Sequence, residues 1–253
     1  MSDRLAMIEA ALDAVMPKAA VRPSVLHSAM RWAVEGGGKR IRPQICLAAA
    51  EAVGGRVEDA LMPACAIELL HSYTLVHDDL PSMDNDVERR GKASVWAKFG
   101  EANAILAGDA LQALAFEVAA RAPRNAAAVV AELARRAVGV VRGQVEDIAE
   151  SREVDFIYEH KTADLFMAAA AMGGLAGGGS DADVARLRDY AYNLGLAFQY
   201  EDDLLDGDSP YGREETERRV RASTDAAVAA LAGLPGDTAF LASLACGLVG
   251  RTR

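Results

Sequence analysis

The chain has 253 residues, of which 51% are hydrophobic and only 6% aromatic, and its formal net charge is −10 at pH 7. Its apolar residues are mostly Ala, Leu and Val, and because Ala and Leu are strong helix formers, this composition favours an all-α protein. The negative charge argues against a nucleic-acid partner, which would need a basic surface, but it leaves small anionic substrates open because a bound divalent cation reverses the local charge.

The sequence gives no sign of secretion or of insertion into a membrane. Its three cysteines, Cys46, Cys65 and Cys246, are odd in number and lack metal-ligand spacing, which predicts buried thiols in a reducing compartment. Asp3 and Arg4 interrupt the first apolar residues, unlike the start of a signal peptide. No apolar run reaches the roughly 18 to 20 residues that a membrane span needs. We therefore expect a cytoplasmic protein without a membrane span.

Apolar residues recur three and four positions apart along nearly the whole chain, which predicts helices and no sustained strands. The glycine-rich stretches 36–38 and 173–179 are interpreted as connections. Because the connections are short, neighbouring helices are expected to run antiparallel in one bundle, so that residues 1–253 form a single domain. The predicted helices cover residues 3–15, 24–35, 41–53, 58–77, 94–121, 124–150, 153–173, 181–206, 212–232 and 236–250.

The first candidate site comes directly after the predicted helix over 58–77. It carries four carboxylates in a short segment, those of Asp78, Asp79, Asp84 and Asp86. An acidic helix end is often no more than a solvated surface. Here, however, the acids follow an apolar helix at its C-terminus, where the helix dipole disfavours negative charge. This placement favours a bound cation.

The second candidate site ends the predicted helix over 181–206. Asp202 and Asp206 are four residues apart, so both project from one face of the helix, beside Asp203. With no His or Cys near them, these hard oxygen ligands predict Mg²⁺ rather than zinc, and Mg²⁺ usually completes its shell with water and substrate phosphate. Two such clusters, each ending an apolar helix, predict two walls of one cavity that binds a diphosphate through bridging metal ions.

Three groups of cations accompany the acidic clusters. The run 39–42 carries two arginines and a lysine after a glycine turn at a predicted helix start, which is a favourable place for an anion. The run 89–92 follows the first acidic cluster. Either run alone could be an exposed basic loop. Lys161, in contrast, lies within an apolar helix and needs an acidic partner.

Together these segments resemble the polyprenyl synthetases, in the order of that family and over roughly residues 30–208. The resemblance implies an all-α fold of about ten helices around a central cavity and a homodimer. The matching segments are Gly37-Gly38-Lys39-Arg40-Ile41-Arg42-Pro43, His71, Asp78-Asp79-Leu80-Pro81-Ser82-Met83-Asp84, Arg89-Arg90-Gly91-Lys92, Phe99-Gly100-Glu101-Ala102, Leu106-Ala107-Gly108-Asp109, Gly143-Gln144 with Asp147, Lys161-Thr162, and Gln199 with Asp202-Asp203 and Asp206.

The resemblance also implies roles for individual side chains. The Mg²⁺ ligands, with Mn²⁺ as an alternative ion, are Asp78, Asp84, Asp202 and Asp206. The isopentenyl diphosphate site is Lys39, Arg42, His71 and Arg90. The allylic diphosphate site is Arg89, Lys161, Thr162 and Gln199. Supports behind these groups are Asp79, Asp203, Gln144 and Asp147, whereas Asp109 is structural.

The implied activity is a prenyltransferase that joins an allylic diphosphate to isopentenyl diphosphate head to tail. The allylic C–O bond ionises, with Asp78, Asp84, Asp202, Lys161 and Arg89 acting directly, and no protein nucleophile is needed. By the same resemblance, a bulky residue five before the first aspartate, with the insertion Pro81-Ser82, stops elongation at fifteen carbons. That residue is Tyr73, so farnesyl diphosphate is the expected product and a geranylgeranyl or geranyl diphosphate synthase is the alternative.

The chain departs from the family pattern at two places. Trp96 stands where relatives commonly carry His, and we interpret it as packing. After Asp206, relatives carry a longer glycine- and lysine-rich loop, whereas here Gly207 to Pro210 leads almost directly into the next helix and no lysine follows Lys161. Either this loop has been deleted or the sequence omits it, and a true deletion predicts weak allylic binding and slow turnover.

Three further interpretations stay open. A weakly active partner subunit of a heteromeric synthase fits the short connection after Asp206. A class I terpene cyclase has similar metal sites, but it has no second diphosphate for Lys39 and Arg42 to bind. A structural helical bundle with surface acids is the third.

Overall fold

The computed structural model describes residues 3–35 and 37–249. The predicted all-α fold is confirmed, because the Ala- and Leu-rich apolar segments form helices over most of these residues. The helices are α1 (Asp3–Val15), α2 (Ser24–Val34), α3 (Ile41–Ala52), α4 (Leu61–Asp78), α5 (Val95–Phe99), α6 (Glu101–Ala119), α7 (Ala126–Ile148), α8 (Val154–Ile157), α9 (Asp164–Gly177), α10 (Asp181–Asp206), α11 (Arg213–Ala230) and α12 (Ala239–Cys246).

Three shorter elements accompany these helices. A 3₁₀ turn over Val57–Ala60 leads into α4, and a π-helical segment over Tyr158–Ala163 joins α8 to α9. The strands β1 (Glu88–Arg89) and β2 (Lys92–Ala93) form a small antiparallel hairpin that the sequence did not predict. Gly36 of the predicted glycine turn, the end of the last predicted helix at residue 250, and residues 1, 2 and 251–253 of the predicted domain lie outside the described residues.

The glycine-rich stretch 173–179 was predicted as a connection, and this prediction is wrong for residues 173–177. Helix α9 continues through Gly177. A Cβ added at Gly173 would lie 2.0 Å from the Cys46 carbonyl oxygen, and one added at Gly177 would lie 2.9 Å from Ala50 Cα. These glycines therefore allow close contact between α9 and α3, and only Gly178, with φ of +85°, ends the helix.

Helix α9 is the centre of the bundle. Its residues are buried on nearly all sides, and α3, α4, α7 and α10 pack around it. Most of the buried apolar side chains, from Ile8 to Leu248, form one cluster, while the interpretation as a single domain stays a prediction. None of the described helices combines the length and apolarity needed to cross a bilayer.

The two acidic clusters lie at helix ends, as predicted. Helix α4 includes Asp78 as its last residue. Helix α10 begins with a capping box between Ser180 and Asp183, and it ends after Asp206 because Gly207 adopts a left-handed conformation with φ of 76°. The π-helical segment and the β1–β2 hairpin supply the cationic side chains between these ends.

Candidate active site

The first acidic cluster is folded back on the end of α4. The Asp84 backbone N–H donates to the Asp78 carbonyl oxygen at 2.9 Å, and the Asn85 N–H donates to the Leu80 carbonyl oxygen at 3.1 Å. Asn85 can close this turn because it adopts a left-handed conformation with φ of 55°. Asp78 and Asp84 are thereby held near one another, and the charge of Asp84 contributes to a raised pKa of Asp78.

Asp78 is poorly solvated as an anion. Burial raises its pKa to about 6, opposed by the positive charge of Lys161 and reinforced by the negative charge of Asp84. A carboxylate in this environment is stabilised by a bound cation. The second cluster, Asp202 and Asp206, also offers only carboxylate oxygens, so the donor chemistry fits Mg²⁺ or Mn²⁺.

The raised pKa of Asp78 gives a prediction about stability. Because the folded protein binds this proton more tightly than the unfolded chain does, the charge costs stability above about pH 6, and this cost disappears as the pH falls toward 4. Asp78→Asn is therefore expected to stabilise the metal-free protein at pH 7.5 by about 1–3 kcal/mol. Thermal unfolding in EDTA should show this gain shrinking toward pH 4, and a destabilised variant at pH 7.5 would contradict it.

Arg89 is oriented by a buried carboxylate. Its Nε donates to Asp79 Oδ1 at 2.7 Å, and a second guanidinium nitrogen lies 2.5 Å from the same oxygen. The Asp79 side chain is 3% exposed, and Asp86 lies 3.5 Å from Arg89. Asp79, predicted to support the first acidic cluster, thus contacts Arg89, which is predicted to bind the allylic diphosphate.

The basic run 39–42 is divided between two purposes. Arg40 is buried, adopts a left-handed conformation with φ of 47°, and donates at 2.7 Å to each of Glu9, Glu68 and the Val34 carbonyl oxygen. These contacts make Arg40 a structural residue at the start of α3. Lys39, immediately before it, is exposed.

Arg42 in the first turn of α3 contacts His71 of α4. Arg42 Nη1 lies 3.3 Å from His71 Nε2, and the guanidinium lies 4.7 Å from the centre of the Phe166 ring. Burial lowers the pKa of Arg42 to about 10, with Glu68 opposing. Burial and the Arg42 charge hold the pKa of His71 well below its usual value. His71 is therefore neutral and accepts from Arg42 at Nε2, which leaves its proton on Nδ1.

Unpaired donors mark this place as an anion site. Arg42 Nε and His71 Nδ1 are buried and have no hydrogen-bond partner in the part of the chain that the structure describes. Arg90 reaches the same place: it donates to the Gly37 carbonyl oxygen, and its charge lowers the pKa of both Arg42 and His71. Buried donors beside two cations favour a bound anion such as a diphosphate.

The π-helical segment presents Lys161 and Thr162 between the two acidic clusters. Lys161 Nζ donates to Asp147 Oδ2 at 2.5 Å, which is the acidic partner that the sequence required. Lys161 also affects the pKa of Asp78. Thr162 donates at 2.8 Å to Gln199 on α10. The segment therefore lies near both helices, with the Lys161 charge acting on Asp78 of α4 and Thr162 hydrogen-bonded to Gln199 of α10.

Glycines and a buried ion pair allow this irregular segment to form. A Cβ at Gly143 of α7 would lie 2.4 Å from the Lys161 backbone nitrogen, and a Cβ at Gly195 of α10 would lie 2.6 Å from Ala163 Cα. Asp164 accepts from Arg136 at 2.8 Å and lies 2.8 Å from His160 Nδ1. The contact between His160 and Asp164 was not predicted, although their i, i+4 spacing is visible in the sequence.

The second acidic cluster points in two directions. Asp203 is only 6% exposed and accepts hydrogen bonds from Tyr158 at 2.5 Å and from Gln199 at 3.0 Å. Asp202 is half-buried and Asp206 is exposed. Among the described residues, no three His, Cys, Asp or Glu side chains converge on one point. The described acidic side chains therefore do not form a complete cation site by themselves, and Mg²⁺ held by few carboxylates usually completes its shell with water and phosphate oxygens.

Tyr73 lies between α4 and α6. Its ring packs edge-on against His77 with centroids 4.9 Å apart, and burial raises the pKa of its hydroxyl. His77 Nε2 lies 3.1 Å from the Ile105 carbonyl oxygen and 3.9 Å from Asp109. The aromatic pair lies in the last two turns of α4, with Tyr73 five residues and His77 one residue before Asp78.

Other residues with predicted roles are placed less tightly. Gln144 Nε2 is buried and without a hydrogen-bond partner among the described residues, so no contact there supports its predicted role. Trp96 is half-buried and donates from Nε1 to the Asp86 carbonyl oxygen at 2.8 Å, so it also ties the acidic loop to α5. The connection after Asp206 runs directly into α11, and Tyr211 in it donates to Asp155 at 2.6 Å.

Comparison with known proteins points in one direction. The family model described as polyprenyl synthetase matches residues 23–220. The chain is 44% identical over 218 residues to the heterodimeric geranylgeranyl pyrophosphate synthase large subunit 1, chloroplastic, of Arabidopsis thaliana, covering 79% of this chain and 58% of that protein. It is 46% identical over 198 residues to the chloroplastic geranylgeranyl pyrophosphate synthase of Capsicum annuum, covering 73% of this chain and 54% of that protein. The match thus spans little more than half the length of these relatives.

Solved structures match over almost their full length. A crystal structure of an FPP/GFPP synthase from Zymomonas mobilis superposes with a TM-score of 0.88 at 33% identity, covering 98% of this chain and 99% of that chain. A crystal structure of a geranyltransferase from Legionella pneumophila gives a TM-score of 0.89 at 32% identity, covering 98% and 95%.

Proposed function

The chain belongs to the polyprenyl synthetase family, and on this premise we propose that it is a short-chain trans-prenyltransferase. Its substrates are an allylic diphosphate, dimethylallyl or geranyl, and isopentenyl diphosphate. The observation that carries the proposal is the pair of unsatisfied buried donors, Arg42 Nε and His71 Nδ1, beside Arg90 and separate from the carboxylates at the ends of α4 and α10. One site suits a diphosphate bound by cations, and the other suits a diphosphate bound through metal ions.

Each side chain then has a defined task. Asp78, Asp84, Asp202 and Asp206 would hold Mg²⁺ or Mn²⁺, which when bound supplies Lewis-acid stabilisation of the departing diphosphate. Arg89 and Lys161, fixed by Asp79 and Asp147, bind that diphosphate from the protein side. Arg42, Arg90 and the exposed Lys39 bind isopentenyl diphosphate.

The bond changes follow from this arrangement. The allylic C–O bond breaks with its electron pair staying on the diphosphate oxygen, and the double bond of isopentenyl diphosphate attacks the resulting allylic cation. A proton then leaves the new chain, with the released diphosphate as its acceptor. The preorganised cations need not rearrange as negative charge develops, which is why they lower the barrier.

The proposal is tested by product analysis of the purified chain with Mg²⁺, labelled isopentenyl diphosphate and each allylic primer in turn. We expect isopentenyl-dependent chain elongation that EDTA abolishes. Hydrocarbon formed from the allylic primer alone would instead identify a cyclase. No product with any primer would overturn the proposal and favour a partner subunit, for which the short connection after Asp206 is the supporting observation.

We propose farnesyl diphosphate as the main product, with geranyl diphosphate as intermediate, because Tyr73 and His77 together narrow the space between α4 and α6. The curated relatives named above are geranylgeranyl diphosphate synthases, whereas the Zymomonas mobilis neighbour is named for FPP and GFPP, so relatives of this fold differ in product length. A twenty-carbon product is the alternative.

The role of Tyr73 is tested by removing its ring. Tyr73→Ala is expected to shift the main product to twenty carbons or more, because the space filled by the ring becomes available to the growing tail. Tyr73→Phe retains the ring and loses only the hydroxyl, so it should keep the fifteen-carbon product. Chromatography of the dephosphorylated alcohols distinguishes them. Predominant geranylgeranyl diphosphate from the unaltered protein would refute the assignment.

A homodimer is proposed on the exposed apolar face of α7. Val138, Val141, Val145 and Ile148 lie three and four residues apart and are 62%, 47%, 60% and 52% exposed. Such a stripe on a helix otherwise packed into the bundle suits burial against a second copy. Light scattering should give twice the chain mass of 26.7 kDa.

A further inference from the structure

Three hydrogen bonds join four side chains in an open chain between the π-helical segment and α10. The Tyr158 hydroxyl donates to Asp203 Oδ2 at 2.5 Å, Gln199 Nε2 donates to Asp203 Oδ1 at 3.0 Å, and Thr162 Oγ1 donates to Gln199 Oε1 at 2.8 Å. Tyr158 and Thr162 are four residues apart, as are Gln199 and Asp203. This hydrogen-bond chain therefore holds one turn of the π-helical segment against one turn of α10.

Within this hydrogen-bond chain, Asp203 has a role different from the roles of Asp202 and Asp206. Both of its carboxylate oxygens accept hydrogen bonds, and the residue is 6% exposed. Asp203 lies between Asp202 and Asp206, so fixing its side chain fixes the rotation of the last turn of α10. That rotation determines where Asp202 and Asp206 point.

Tyr158 is in turn fixed by aromatic packing. Its ring packs edge-on against Tyr200 and Tyr211, with centroids 5.6 and 6.5 Å apart. The Arg219 guanidinium of α11 lies 3.8 Å from the Tyr211 ring centre, and it donates to the Tyr200 hydroxyl at 3.2 Å. The short connection after Asp206 thus places Tyr211 against Tyr158. This packing holds the Tyr158 ring with its hydroxyl directed at Asp203.

We propose that Tyr158 is a positioning residue for the metal site. Its hydroxyl, acting through Asp203, sets the direction in which Asp202 and Asp206 meet the metal–diphosphate complex. This inference rests on the proposed function of the site. It adds a residue that lies outside both aspartate clusters and that only the fold brings to them. Removal of a hydrogen-bond partner behind a metal ligand typically costs about 10- to 100-fold in metal affinity or activity.

The test compares two substitutions with the same chemistry. Tyr158→Phe removes the hydroxyl and keeps the ring in the tyrosine cluster. Tyr190→Phe is the matched control: Tyr190 lies on α10, the helix that carries Asp203, is fully buried, and donates its single hydroxyl to the Leu241 carbonyl oxygen at 2.8 Å. Each variant loses one buried hydrogen bond, so both should lose similar stability in thermal unfolding.

The readout is Mn²⁺ binding in the presence of inorganic diphosphate. It is measured in electron paramagnetic resonance by the decrease of the free Mn²⁺ signal. A loss of stability alone would not change it. Tyr158→Phe is expected to raise the Mn²⁺ dissociation constant about tenfold or more, and to raise the Mg²⁺ concentration for half-maximal turnover in parallel. Tyr190→Phe should match the unaltered protein in both.

The outcomes separate the inference from the proposed function. If the unaltered protein elongates no primer, the proposed function fails. If it is active, and Tyr158→Phe binds Mn²⁺ as tightly as Tyr190→Phe, then Tyr158 is merely structural and the inference is overturned. Loss of Mn²⁺ binding in both variants would overturn it as well, because the effect would then belong to stability.

Discussion

Replacing Asp78 or Asp202 with alanine is expected to lower turnover by on the order of a thousandfold or more while leaving the helical fold intact. The reason is geometric. Asp78 ends α4 and Asp202 lies near the end of α10. The π-helical segment lies near both helices, because the Lys161 charge acts on Asp78 and Thr162 is hydrogen-bonded to Gln199 of α10. The proposed function requires both clusters to bind the metal ions of one diphosphate, so either substitution should remove a ligand that the other cluster does not replace.

Asp208→Ala is the matched control for this experiment. Asp208 is exposed and follows the second cluster by two residues, so it carries the same charge nearby without facing the proposed metal site. Steady-state turnover with Mg²⁺ and circular dichroism should be measured on all three variants. If Asp78→Ala or Asp202→Ala retained near-normal turnover, the two clusters would not share one site.

Glu68→Ala is expected to lower the free energy of unfolding by about 3–5 kcal/mol, because it leaves a buried cation without its partner. The Glu68 and Arg40 side chains are 4% and 2% exposed, and their atoms lie 2.7 Å apart. Arg40 keeps its ion pair with Glu9 and its hydrogen bond to the Val34 carbonyl oxygen, but Glu9 is 46% exposed and solvent weakens its charge, so it compensates for the buried Glu68 only in part.

Glu58→Ala removes an ion pair of the opposite kind. Glu58 and Arg56 are 59% and 73% exposed and lie 3.3 Å apart, so solvent screens their attraction and the loss should be far smaller than for Glu68→Ala. Urea unfolding of both variants gives the comparison. Equal and small losses would show that Arg40 finds another partner and that its pair with Glu68 does not hold the start of α3.

The sequence predicted the all-α fold because the apolar spacing and the Ala-rich composition both indicate helices. It misjudged the glycines of 173–179 because glycine marks a turn and a close helix contact equally well. The choice depends on a partner helix, here α3 with the Cys46 carbonyl oxygen, that is distant in the chain. The hairpin at 88–93 was missed because two-residue strands carry no periodicity.

The site was predictable in composition but not in contacts. Runs such as 39–42 identify a basic loop, yet only the fold shows that Arg40 is buried on Glu68 while Arg42 meets His71. The π-helical segment and the hydrogen-bond chain through Tyr158 could not be predicted. They depend on how closely α7 approaches this segment at Gly143 and how closely α10 approaches it at Gly195. The roles of the individual ligands stay predictions.

The most direct test of the account is a crystal structure with Mn²⁺ and a non-hydrolysable allylic diphosphate analogue, with the metal located by its anomalous scattering. We predict Mn²⁺ bound to Asp78 and Asp202 and bridged by the phosphate oxygens of the analogue, with Lys161 and Arg89 on the same diphosphate. Mn²⁺ on one aspartate cluster alone, or a diphosphate bound away from both, would contradict the central claim that the ends of α4 and α10 form one site.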